Sequence, residues 1–192
     1  MKIIIVIFLS IIFFNLDVSS KEFNKAYFAG GCFWCMEESF EKVEGVTEVI
    51  SGYSGGKTTN PTYDEVTYGN TGHFETIEVI YDPNKVNFNY LLKIFWENID
   101  PFDKYGQFCD KGYSYRSVAF FTNKNEKNLI EKSKKNIEEN FDKKVVTYIR
   151  ELKVFYKAEE NHQDYYQKKF INYLLYKQGC GREKTLNKIW NK

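Results

Sequence analysis

The sequence predicts an α+β domain: a two-layer sandwich with a mainly antiparallel sheet, built on a ferredoxin-like split βαβ core with long loops. Three observations predict it. Over residues 25–122 the apolar pattern runs in the order strand, helix, strand, strand, helix, strand. The 192 residues suffice for one domain with a substantial core. No repeat, low-complexity tract or linker divides the chain.

Each element follows from local chemistry. Residues 25–29 form a short strand that ends at Gly30-Gly31. Phe33, Met36, Phe40 and Val43 then recur at helical spacing, and Gly45 closes the helix. Residues 46–53 are rich in β-branched side chains and stop at Ser54-Gly55-Gly56. The stretch KTTNPTYDEVTYGNTG carries Asn-Pro, Gly-Asn and Thr-Gly pairs, which mark an ordered loop. HFETIEVIYDP alternates, with Ile77, Val79 and Tyr81 on one face and Pro83 as terminator.

An amphipathic helix carries Phe88, Leu91, Leu92, Phe95, Trp96 and Ile99, with Asn87 as its N-cap. RSVAFFT is a further strand, and Asn123 with Glu126 forms a capping box for a helix through Phe141. A strand over 148–154, a helix over 159–176 and a tail helix with Leu186, Ile189 and Trp190 complete the chain. The long loops at 54–73 and 100–116 are where function is expected.

Residues 1–20 read as a signal peptide ahead of a single domain at 21–192. Lys2 precedes an apolar run from Ile3 to Phe14, and Val18-Ser19-Ser20 supplies small residues for cleavage near Lys21. The run is too short for an ordinary membrane span; an uncleaved N-terminal anchor is the alternative. The expectation is therefore a periplasmic or secreted protein. A net charge of +1 gives no global attraction to nucleic acid or anionic membrane. The 17 basic and 10 acidic residues after position 122 read as solvated, Lys-rich helices.

Export would place the four cysteines in an oxidising compartment, where two structural disulfides are one reading of Cys32, Cys35, Cys109 and Cys180. The context of Cys32 favours reactivity. It stands where the first strand gives way to the first helix, and a helix N-terminus stabilises a thiolate. A structural zinc site is disfavoured, because Cys109 and Cys180 stand alone and His73 and His162 are far apart. Cys32-x-x-Cys35 also fits thiol-disulfide exchange, although Phe-Trp is a bulky insert and the element order is not that of thioredoxin.

GCFWCMEESFEKVEGV, SGYSGGKTTNPTYDEVTYGNTGHFE, YDP, FWENIDPFD, QFCDKGYSYRS, AEENHQDYY and GCGREKTLNKIW follow one another from about residue 25 to the end. Together they resemble the peptide methionine sulfoxide reductase A family. The resemblance implies reduction of the S epimer of methionine sulfoxide, free or in proteins, with no metal or organic cofactor. It makes Cys32 the nucleophile, Glu75 the acid, and Tyr63 and Tyr115 the hydroxyl donors. Asp110 would order the site through water, and Phe33 and Trp34 would hold the substrate methyl. His73 is expected to shape its loop and His162 to be structural.

Displacing methionine would leave a sulfenic acid on Cys32. A second thiol must then form a disulfide that thioredoxin or a similar reductant opens. Here the chain departs from many members, which carry Gly in place of Cys35 and paired cysteines in a glycine-rich tail. Cys180 and Cys35 are both candidate resolving cysteines. The mobility expected from Gly179 and Gly181 favours Cys180, while Cys109 reads as a wall residue. A monomer is expected, with no nucleic-acid partner.

Overall fold

A computed structural model describes residues 22–191. The signal peptide expected over 1–20 lies outside the described residues. Strand β1 (Asn24–Ala29) leads into helix α1 (Phe33–Glu41). Strands β2 (Val46–Ser54) and β3 (Phe74–Tyr81) flank a loop that contains the short helix α2 (Tyr63–Tyr68), and α3 (Phe88–Glu97) follows. A small hairpin, β4 (Gly106–Gln107) and β5 (Asp110–Lys111), precedes β6 (Val118–Phe121), α4 (Lys124–Phe141), β7 (Tyr148–Glu151) and β8 (Phe155–Lys157). Helices α5 (Tyr165–Lys168), α6 (Phe170–Gly179) and α7 (Arg182–Trp190) end the chain.

The fold is mixed α and β, with one six-stranded sheet ordered β7-β6-β1-β3-β2-β8. Its central strands pair antiparallel, β6 with β1, β1 with β3 and β3 with β2. This is the pairing that the strand-helix-strand repeat predicts. Two features depart from the open two-layer sandwich. Strand β7 is parallel to β6, because α4 carries the chain back over the sheet and a parallel pair requires such a crossover. The sheet is also curled.

The curl follows from chain reach. β7 and β8 lie on opposite edges of the sheet, yet only Leu152, Lys153 and Val154 join them. That link spans at most about 14 Å, whereas a flat sheet of this order would separate its edges by about 24 Å. The edges must therefore approach. Contacts between them agree: Ser54 Oγ donates to Val154 O (2.8 Å), and Arg150 Nη1 reaches Gly55 O (3.5 Å). The strand expected over 148–154 is thus β7 and the link alone, and a further strand, β8, begins on the opposite edge at Phe155.

Side chains sort by this geometry. Tyr27, Ala29, Phe74, Val118 and Phe120 share one cluster with Tyr148, Leu152 and Phe155 from the linked edges. On the other face Phe28 stacks with Phe40 of α1 (5.3 Å) and Phe95 of α3 (5.0 Å). Ile130 and Ile137 of α4 join that same core. Helix α2, which the sequence left inside a loop, has a complete capping box: Glu65 N–H donates to Thr62 Oγ1, and Thr62 N–H donates to Glu65 Oε2. At α4 Asn123 caps the Glu126 N–H, but Glu126 reaches back to Thr122 instead. The helix expected over 159–176 is broken, since Asp164 is left-handed (φ 53°) and Lys169 is non-helical.

The turn after β1 brings the hairpin to α1. Gly31 has φ 81°, and a Cβ there would lie 2.5 Å from Gln107 Cβ of β4. A side chain at 31 would thus push the hairpin away. Gln107 is held in turn by amide bonds to Asp100, accepting from its N–H (2.8 Å) and donating to its C=O (2.9 Å). Arg182 of α7, itself buried, donates to Asn98 O (2.6 Å) and lies over the Phe108 ring.

Burial also leaves a carboxyl with a testable signature. Glu37 of α1 accepts the Asp164 N–H (3.1 Å), while its other oxygen is buried without a hydrogen-bond partner. Burial raises its pKa from the ordinary 4.5 to about 8. A raised carboxyl favours the folded state below its unfolded pKa, and that advantage fades as pH climbs through the folded value. Glu37→Gln keeps the acceptor without the titration. Its melting temperature relative to wild type should rise steadily between pH 5 and 8; a pH-independent offset would show that Glu37 is already ionised.

Candidate active site

A cavity of about 50 Å³ is lined by Cys32, Phe33, Trp34, Tyr63, Glu75, Asp110, Tyr115 and Tyr176. The structure thus gathers six separate segments around one sulfur. A larger cavity of about 710 Å³ lies elsewhere, with Arg116, Lys134 and Lys144 on its wall and no cysteine or histidine. Size does not select the site; the nucleophile does.

Cys32 is the N-cap of α1, and its C=O accepts the N–H groups of Cys35 (3.2 Å) and Met36 (3.3 Å). The first free N–H of the helix, on Phe33, donates to Glu75 Oε2 (3.0 Å). Glu75, not the thiol, therefore caps the nucleophile's helix. It stands opposite Tyr53 in the β2–β3 pairing and is 2% exposed. Its Oε1 is buried with no protein partner. Burial raises its pKa; the Phe33 N–H opposes that and the Asp110 charge adds to it, leaving about 8. Glu75 is accordingly a neutral acid at pH 7 with one oxygen free for a ligand.

Cys32 and Cys35 are both buried and both free thiols. Cys35 follows Cys32 by one helical turn, and the two thiols titrate as a pair. Burial first, then the hydrogen bond and charge of Cys35, push Cys32 up. The hydrogen bond from Cys32, with Arg182, Tyr173 and Lys177 against the cost of burial, brings Cys35 down to about 6. The pair therefore gives up one proton readily and resists losing the second. Cys32 alone of the two faces the Glu75 cavity; Cys35 points to the side lined by Ser39, Asn98 and Arg182. A thiolate formed by the pair can thus present itself to a ligand only at Cys32.

Tyr63 and Tyr115 hydrogen-bond to one another, and burial raises both, Tyr63 to about 12. Each stays protonated and can donate. Tyr63 is set by its N–H bond to Glu159 Oε1 (2.8 Å), while Tyr53 Oη donates to the other oxygen (2.8 Å). Burial raises Asp110, and its carboxylate accepts from Tyr176 Oη.

The aromatic wall is larger than the sequence suggested. Trp34 stacks on Tyr165 (3.8 Å) and meets Tyr176 edge-on (5.9 Å). His162 lies between Tyr63 (4.3 Å), Phe33 (5.4 Å) and Trp34 (5.8 Å), and burial keeps its pKa below the ordinary value. It is a neutral spacer there. His73 accepts the Gly56 N–H at Nδ1 (3.1 Å) and donates from Nε2 to Thr58 O (2.7 Å), so it braces its loop. Tyr165, Tyr173, Tyr176, Glu159 and Arg182 were not singled out from sequence. The Tyr165–Tyr173–Tyr176 spacing repeats on one helical face and was the available signal.

Cys180, the resolving thiol favoured from the sequence, forms a disulfide with Cys109, Cα atoms 5.0 Å apart. The sequence separation of 71 residues hid that pairing. Cys35 is left as the free thiol beside Cys32.

The family model for peptide methionine sulfoxide reductase matches residues 24–192. Peptide methionine sulfoxide reductase MsrA of Ligilactobacillus salivarius is 46% identical over 170 residues, covering 88% of this chain and 98% of that protein. The reduced form of Mxr1 from Saccharomyces cerevisiae superposes with a TM-score of 0.72 at 29% identity, over 76% of this chain and 85% of that one. Methionine sulfoxide reductase A of Corynebacterium diphtheriae gives 0.70 at 31% identity, over 78% and 76%. With that match over residues 24–192, and with a buried acid, two tyrosine hydroxyls and a thiol at a helix start around one small cavity, this chain belongs to the peptide methionine sulfoxide reductase family.

Proposed function

We propose that the chain reduces the S epimer of methionine sulfoxide through a thiolate on Cys32 and a proton from Glu75. The observation that carries this reading is the neutral, half-unpartnered Glu75 carboxyl on the same small cavity as the Cys32 sulfur. The substrate methyl lies against Phe33 and Trp34, and its oxygen is held by Glu75, Tyr63 and Tyr115. Three fixed attachment points read the hand of the sulfur, which supports choice of one epimer. The cavity admits a methylsulfinyl group and leaves the peptide backbone outside.

Cys32 S⁻ attacks the sulfoxide sulfur while Glu75 protonates its oxygen, joining the two sulfurs with the hydroxyl still on the substrate sulfur. The hydroxyl then moves to the Cys32 sulfur as the S–S bond breaks; that bonding pair stays on the substrate sulfur, giving methionine, and Cys32 is left as a sulfenic acid. Tyr63 and Tyr115 stabilise charge on that oxygen as the bond breaks. Cys35, one helical turn away, displaces the hydroxyl as water and forms the Cys32–Cys35 disulfide. A dithiol reductant of thioredoxin type then takes up the disulfide and restores both thiols.

Cys32→Ser should lose all turnover with dithiothreitol as reductant, while Glu75→Gln slows the reductive step on the order of 10²-fold or more. The wild-type reductive rate should fall as pH rises through about 8, where Glu75 ionises, and that limb should vanish in Glu75→Gln. A Gln variant within about twofold of wild type removes Glu75 from the acid role.

After one stoichiometric turnover without reductant, peptide mapping should find Cys32 linked to Cys35, with Cys109 still linked to Cys180. A Cys32–Cys180 link would restore the sequence-based preference. We further propose export, supported by the apolar run from Ile3 to Phe14 and the small residues before Lys21. Protein recovered from its native cell should begin near Lys21 outside the cytoplasm; intact Met1 in the cytosol would refute this.

A further inference from the structure

We infer that the Cys109–Cys180 disulfide is a positioning element for the reaction, a latch that holds Tyr176 and Asp110 against Cys32. The inference rests on the proposed reaction at Cys32 but concerns residues that reaction does not use. Cys109 occupies the turn of the β4–β5 hairpin and directly precedes Asp110. Cys180 is the C-cap of α6, and its N–H donates to Tyr176 O (2.9 Å), one turn earlier on the same helix. The disulfide and the Tyr176–Asp110 hydrogen bond are therefore adjacent rungs between the same two elements.

Little else fixes that end of α6. Tyr173 is its one buried side chain, while Phe170, Ile171 and Leu175 are 57%, 64% and 64% exposed. Besides the Tyr173 cluster and the edge contact of Tyr176 with Trp34, its attachments are polar, Tyr173 Oη (2.6 Å) and Lys177 Nζ (2.5 Å) to Glu38. A Cβ placed on Gly179 or Gly181 would meet no atom within 4 Å, so the two residues flanking Cys180 are loosely packed, and the next firm anchor is Arg182 of α7. The covalent link is what joins the end of α6 directly to the hairpin that carries Asp110.

With the latch closed, Tyr176 walls the cavity beside Cys32, meets Trp34 edge-on and donates its hydroxyl to Asp110. An external dithiol would convert the latch to two thiols and become a disulfide itself, with two electrons and two protons transferred. The end of α6 would then be free to lift, taking the Tyr176 hydroxyl from Cys32 and from Asp110. Cys109 is exposed and Cys180 partly so, hence within a reductant's reach. Such a latch persists in an oxidising compartment and opens in a reducing one.

The test is a double-mutant cycle on the full chain: wild type, Tyr176→Phe, Cys109→Ser/Cys180→Ser, and the triple variant. The first readout is single-turnover reduction of a methyl sulfoxide without reductant. The second is the pH dependence of Cys32 alkylation by iodoacetamide, located by peptide mass, which needs no sulfoxide chemistry. Groups facing the Cys32 sulfur are Cys35 on α1, Tyr63 on α2, Glu75 on β3, Asp110 on β5, Tyr115 in the turn before β6 and Tyr176 on α6, with Tyr173, Lys177 and Arg182 acting through Cys35.

Tyr176→Phe and the serine pair should each slow turnover about 10-fold and move the alkylation midpoint upward, because each removes the same polar hydroxyl from the cavity wall beside Cys32. The triple variant should lie within about twofold of the serine pair. A second full loss in the triple variant, or wild-type behaviour of the serine pair, overturns the latch. Should the serine pair not fold, wild type before and after reduction of Cys109–Cys180 serves instead: an upward midpoint shift supports the latch and identical midpoints overturn it. Failure of wild type to reduce sulfoxide, with the alkylation shifts present, would fault the proposed reaction and leave the latch standing.

Discussion

The hydrogen bond from the Phe33 N–H to Glu75 Oε2 ties the nucleophile's helix to the acid's strand. It also constrains almost everything else in the site. Because that bond occupies the first N–H of α1, the carboxyl must lie under the helix and out of water. Burial there keeps it protonated, so the same contact that locates the acid supplies its proton. The turn at Gly30-Gly31 is what allows α1 to start over β3. The close approach of Gly31 to Gln107 then carries the hairpin with Asp110 to the opposite side of the sulfur.

Around that fixed pair the protein builds a wall of rings. Trp34, Tyr165, His162 and Tyr63 stack face against face with Phe33 tilted against them, and Glu159 locks two tyrosines from different elements with one carboxylate. Low polarity raises the thiol and acid pKa values together, which by itself would silence the nucleophile. The pairing of Cys32 with Cys35, and the nearby Arg182 and Lys177, offset that cost by letting two sulfurs share one negative charge. A buried acid and an accessible thiolate can thereby coexist at neutral pH.

Much of the fold was legible because its signals are local. The Asn87 cap needs three residues of sequence and agrees with the structure; the Asn123 cap does too, except that Glu126 closes on Thr122. The central strands follow from alternation within each segment. The curl does not, because it depends on a three-residue link between edges whose order no single strand encodes. For the same reason one expected strand stops at Glu151, and β8 begins on the opposite edge. A left-handed Asp164 and a non-helical Lys169 broke an expected helix despite favourable side-chain spacing.

By itself the sequence determined that Cys32 stands at a helix start after two glycines and that Glu75, Tyr63, Tyr115 and Asp110 follow in loop and strand contexts matching a sulfoxide reductase. Those statements concern neighbours along the chain, where dihedral preference and side-chain period act directly. Tertiary structure alone decided that Glu75 is buried, that Cys109 pairs with Cys180, and that Tyr176 and Arg182 close the site from the C-terminal helices. Each of these is a contact between segments far apart in sequence. Its free energy comes from desolvation and packing that exist only once the sheet has curled and the helices have docked.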